Sequence, residues 1–76
     1  MPPRLPADLP TARVQRALLR LRFVLDREGG RHTVFAHPDH PGKTFALPRH
    51  ATVPRFIVVG LLGRAGLDEQ DFLDVY

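Results

Sequence analysis

The chain is 76 residues long and contains no cysteine, so it makes at most one domain, with neither a disulfide framework nor a thiolate zinc site to hold it together. Its formal net charge of +3 is too mild an excess to mark a nucleic-acid binder by itself. The opening MPPRLPADLP is too rich in proline for a signal peptide, and no apolar run approaches the roughly 20 residues that span a bilayer; the expectation is a soluble, cytoplasmic protein away from membranes.

Residues 1–10 carry prolines at 2, 3, 6 and 10, which predicts an extended segment without helix, with Leu5 and Leu9 available to tuck against the domain that occupies residues 11–76. Thr11 then offers a hydroxyl to cap a first helix over residues 11–22. Within it Val14, Ala17, Leu18 and Leu21 follow the i, i+3, i+4, i+7 spacing of one buried face, while Arg13, Arg16 and Arg20 fall elsewhere. At Phe23 the period changes, and Phe23-Val24-Leu25 opens a strand that Gly29-Gly30 ends, two glycines supplying the positive φ of a tight hairpin. A second strand runs from Arg31 to His37. Pro38, Pro41 and Gly42 predict a longer turn holding Asp39 and His40, and Lys43 to Leu47 alternates as a third strand that Pro48 closes.

Period two leaves the faces of this meander open. With Phe35 and Phe45 toward the helices, His32 and Thr44 lie on the open face; Val34 is as good a core residue as Phe35, which would reverse the assignment. Residues 49–54 read as a loop. The run RFIVVGLLGRAG mixes strand chemistry at Phe56–Val59 with helical spacing at Val58, Leu61, Leu62 and Ala65. We read a helix that wants Gly60 and Gly63 for close packing, with Gly66 as its C-terminal glycine. Asp68 then caps a short last helix, with Leu67 and Phe72 as a hydrophobic staple. The fold class expected is α+β, a three-stranded antiparallel sheet packed on helices in the order αβββα.

Charge and histidine gather in the middle of the chain. Between Glu28 and Asp68 the sole acid is Asp39, whereas Asp68, Glu69, Asp71 and Asp74 follow with no base among them; this draws an anionic polymer to the centre, and it also serves plain solubility. All four histidines lie between residues 32 and 50. On its residues alone, His32 is either a surface strand residue or a general base, since imidazole with an ordinary pKa near 6.5 exchanges protons at neutrality. His37 and His40 have an H-x-x-H spacing that can bind zinc, but a two-proline loop with few carboxylates nearby reads as a polar turn, and no metal or cofactor is expected. His50, after Pro48-Arg49, is placed to cap the next helix, meet a phosphate or face water. Arg13, Arg16, Arg20 and Arg27 fit either a strip for an RNA backbone or a solvated helix face.

Several short motifs, in order, resemble the HicA toxin family: Leu21-Arg22-Phe23 ending the first helix, Gly30-Arg31-His32 opening the second strand, Phe35, His37-Pro38 and Pro48-Arg49-His50. Arg64-Ala65-Gly66-Leu67 and Glu69-Gln70-Asp71-Phe72-Leu73 continue the match, which covers residues 11–74. The resemblance implies a fold similar to a double-stranded-RNA-binding domain, endoribonuclease activity on mRNA as the toxin of a type II toxin–antitoxin system, and neutralisation by a HicB-like antitoxin. It also implies that His32, and His32 alone, is the catalytic histidine; beside it, charge and position make Arg31, Lys43, Arg49 and His50 candidate RNA-binding residues. The alternative is a non-catalytic RNA-binding or protein-interaction module on the same fold. Three features depart from the family pattern: Arg22 replaces a glycine, Arg31 replaces a small residue, and residues 51–62 lack the usual Gly-Thr helix start.

Overall fold

A computed structural model describes residues 4–76; the expectation of an extended start at residues 1–3 lies outside them. The elements run β1 (Asp8–Pro10), α1 (Thr11–Arg20), β2 (Val24–Glu28), β3 (His32–His37), β4 (His40–Pro48), β5 (Thr52–Pro54), α2 (Arg55–Arg64) and α3 (Glu69–Val75). The architecture is α+β. An antiparallel sheet of order β2-β3-β4 and a small β1-β5 pair share one core with the helices. None of the helices is long and apolar enough to cross a membrane, among the described residues.

Phe35 and Phe45 face each other across β3 and β4, and both are buried with Leu47 and Thr33 on the helix-covered side of the sheet. His32 pairs with Pro48 and Val34 with Ala46 on the opposite, more open face. The aromatic residues therefore decide the parity that period two left open, because a phenylalanine removes more apolar surface from water than a valine does.

The first helix is shorter than expected. It ends at Arg20 because Phe23 donates its N–H to the Leu18 carbonyl at 3.0 Å and Arg22 donates to Leu19 at 3.0 Å, the paired bonds of a Schellman ending. That ending needs a left-handed residue at position 22, and Arg22 has φ 73°. Here the departure from glycine has a defined consequence, since a side chain in that region costs roughly 1–2 kcal/mol. The exposed Arg22–Asp39 ion pair at 3.8 Å offsets little of it. Arg22→Gly is expected to stabilise the fold by about 1 kcal/mol, raising the thermal midpoint by roughly 4–8 °C. Thermal unfolding followed by circular dichroism checks this, and an unchanged or lowered midpoint would remove the strain from the description. Gly66, at φ 71°, ends α2 in the same way, with Leu67 donating to Leu62 and Gly66 to Gly63.

Four expectations need correction. Thr11 is the first helical residue and not the cap; its hydroxyl donates instead to the His50 carbonyl. Neither Gly29 nor Gly30 has a positive φ, so the first hairpin does not use them for left-handed backbone. The second hairpin turns on Pro38-Asp39 alone, and Pro41 and Gly42 lie within β4, where an outer strand tolerates the missing proline N–H. Residues 49–54 are not all loop, because Thr52–Pro54 pairs with Asp8–Pro10, setting Leu9 opposite Val53 in the core. Backbone bonds from Thr11 to Ala51 and from Arg55 to Ala7 extend that short ladder beyond its prolines. The Arg55 guanidinium donates to the Leu5 carbonyl at 3.0 Å, and Leu5 is buried too.

The last helix follows expectation: the Asp68 carboxylate accepts from the Gln70 N–H at 2.7 Å, and Phe72 is buried, with Leu67 packed against the same cluster. Its C-terminal end is held by α1. Arg13 donates to the Tyr76 backbone oxygen and lies 4.2 Å over its ring, while Arg20 donates to the Val75 carbonyl.

Candidate functional site

β3 begins at His32 just after the Gly29–Arg31 turn, and the alternation that buries Thr33 and Phe35 leaves His32 exposed. Beside it, β4 ends at Pro48 and releases Arg49 and His50 into the connection toward β5. The hairpin and that connection are bonded together. Arg49 donates its backbone N–H to the Arg31 carbonyl at 3.0 Å, and its guanidinium donates to the Gly29 carbonyl at 3.0 Å. Gly29 in turn donates to His32 at 2.8 Å. On the far side, the Thr11 hydroxyl holds the His50 carbonyl, so the N-terminal end of α1 fixes the backbone that carries this histidine.

The result is a cleft of about 450 Å³ lined by Gly30, Arg31, His32, Pro48, Arg49 and His50. Of the five candidate residues, four share this cleft. Lys43 does not; it lies on the helix-facing side of β4, where its stem packs on Gly66, so near that an added Cβ there would sit 3.2 Å from Lys43 Cε. Arg49 is the most constrained of the cations because its side chain already grips the hairpin, whereas Arg31 and His50 are exposed and make no side-chain hydrogen bond among the described residues.

A second cleft of about 300 Å³ opens on the other side of His32 and Pro48, which line both. Its remaining walls are Ala46 on the open face of β4 and Ile57, Gly60, Leu61 and Arg64 on α2. Those four follow i, i+3, i+4, i+7 and make one helical stripe, while Val58, Leu62 and Ala65 make the buried one. Sequence reading missed Arg64 and Gly60 as site residues. The signal was the stripe itself, masked because α2 is apolar nearly all round. Nor do Gly60 and Gly63 serve close packing within the chain, since a Cβ built on either meets nothing within 4 Å.

His37 is turned to another purpose. Its Nδ1 accepts the Asp39 N–H at 3.2 Å, its ring meets Phe23 edge-on, and His40 lies 4.9 Å away between centroids. Among the described residues no group of three metal-binding side chains forms, there or elsewhere. Arg13 and Arg20 likewise dock α3, which accounts for two of the arginines of the expected strip.

Neither the protein-family models nor the curated proteins compared with the chain contain a match. What the clefts do must be read from their own groups. A histidine exposed between an arginine-lined hollow and a mainly apolar one suits a ligand that is anionic on one side and flat or apolar on the other.

Proposed function

We propose that the chain is a HicA-like mRNA interferase, the toxin of a type II toxin–antitoxin pair, acting in the cytoplasm on mRNA and held in check by a HicB-like antitoxin. One observation carries the reading: His32, the residue that the family resemblance makes catalytic, lines the same cleft as Arg31, Arg49 and His50. The succession α1, β2-β3-β4, α2, with the short β1–β5 pair and α3 added to it, is also in keeping with the double-stranded-RNA-binding fold that the resemblance implies.

In the proposed reaction His32 accepts the proton of a ribose 2′-hydroxyl, whose oxygen attacks the adjacent phosphorus. Arg31 and Arg49 offset the charge that builds on the phosphate oxygens as phosphorus becomes five-coordinate. The bond to the 5′-oxygen breaks, and that oxygen takes a proton from His50 acting as general acid. The products are a 2′,3′-cyclic phosphate and a 5′-hydroxyl, which no bound metal is needed to form. The test is to incubate the purified chain with RNA in excess chelator and to analyse the new ends, beside induced expression in growing cells. Cyclic phosphate ends and growth arrest are expected; intact RNA and normal growth would end the proposal.

A specific feature favours the second reading, a non-catalytic module that binds RNA or a protein. Phe56 is 74% exposed on α2 and Val59 is 37% exposed one turn on, an apolar surface that suits a protein contact. RNA affinity separates the readings: a nuclease with this cleft binds RNA at low salt and loses affinity steeply as salt rises, whereas a pure protein-interaction module shows neither.

A further inference from the structure

The 300 Å³ cleft between α2 and the open face of the sheet has no task in the proton transfers above. Its composition differs from that of its neighbour. Ala46, Pro48, Ile57 and Leu61 give it apolar walls, Arg64 adds a guanidinium, and it reaches the arginine-lined cleft across His32 and Pro48. Glycine at position 60 is the unexpected part. A glycine inside a helix weakens it relative to alanine, and here no neighbouring atom forbids a side chain, because nothing lies within 4 Å of an added Cβ. The missing side chain keeps the cleft open.

We infer that this cleft is a nucleobase subsite for single-stranded RNA, admitting the base of the nucleotide whose 2′-hydroxyl meets His32. The inference rests on the proposed function and adds how the substrate is held. The volume is at the lower end of the range for small-ligand clefts and is ample for an unstacked base. Apolar walls cover the faces of an unstacked base, and the Arg64 guanidinium offers donors to acceptors on its edge or a plane to stack on. The base then lies on one side of His32 and the phosphate on the other, so the ribose between them meets the imidazole. Gly60 sets the depth of the slot.

The test compares two oligonucleotides, each with a single ribonucleotide in a DNA strand, one carrying its base at that position and one abasic there. The wild-type chain is expected to bind the base-bearing strand roughly 10-fold or more tightly than the abasic one. Gly60→Leu fills the slot and is expected to erase that preference by weakening only the base-bearing complex, with the thermal midpoint unchanged or raised. Gly60→Ala serves as the smaller companion and should show a partial loss. Equal affinity of the wild type for the two strands overturns the subsite, as does a folded Gly60→Leu chain that keeps the full preference. A base preference without cleavage of either strand upholds the subsite and fails the nuclease reading alone.

Discussion

Replacing Phe45 with alanine is expected to destabilise the protein by about 3–5 kcal/mol, the larger of the stability effects expected for this chain. The side chain is fully buried, faces Phe35 across the strand pair, and lies on β4, the strand on which α2 packs. Truncation removes most of an aromatic ring from a core this small and leaves a cavity that the sheet cannot close without moving β3. Domains of this length have about 4–11 kcal/mol of stability, so one residue supports a large fraction of it. The loss reaches the site as well, because Ala46 and Pro48 project from the same strand into the clefts. Denaturant unfolding measures the effect, and Phe45→Leu should recover most of it. A loss below about 1 kcal/mol would show that the core does not close on this ring.

The second large effect concerns the proposed catalysis. His50→Ala is expected to lower the cleavage rate about 10²–10⁴-fold while leaving the fold intact, since the side chain is exposed and the bond that anchors position 50 uses its backbone carbonyl. Acid and base act on one transition state, so removing both His32 and His50 should cost scarcely more than removing the more important one. Single-turnover kinetics on a short RNA decides the matter. If the two losses multiply, the histidines do not act as a pair; if His50→Ala cleaves normally, the proton reaches the leaving oxygen from another source.

The elements with a long apolar stripe or clear alternation were legible in the sequence. Val14, Ala17 and Leu18 announced α1, Asp68 and Phe72 announced α3, and Phe35 with Phe45 announced the central strand pair. The β1–β5 pair was not, for a physical reason. Each strand is only three residues long and ends in proline, so each shows a single buried position, Leu9 or Val53, from which no period can be read. The second hairpin misled because Pro41 and Gly42 usually mark turns, whereas on an outer strand the missing N–H and side chain are tolerated. Of the candidate site, the family resemblance singled out His32, and charge and position drew in Arg31, Arg49 and His50; the β3–β4 pairing brings all four to one cleft. Lys43 was drawn in by charge alone, and alternation turns it to the other face. Arg64 and Gly60 stayed hidden because a helix with Phe56, Ile57, Val58 and Val59 in succession points no polar side outward.

The N-terminal segment has a larger part in the site than its composition suggests. By pairing with β5 and burying Leu5 and Leu9, it sets the start of α1, and the first residue of that helix holds the carbonyl of His50. A chain of contacts thus runs from a proline-rich strand to a proposed catalytic histidine, through backbone pairing and the buried Thr11 hydroxyl, which substitution of exposed side chains does not break.

The most direct measurement is cleavage of a defined RNA by His32→Ala beside the wild type, with folding checked by circular dichroism and RNA affinity measured on the same samples. His32 is exposed and makes no side-chain hydrogen bond among the described residues, so the variant should fold normally and bind RNA nearly as well. Cleavage lower by about 10²-fold or more, with fold and affinity retained, is the result expected of a general base. Undiminished cleavage by the folded variant would mean that His32 takes no part in the chemistry.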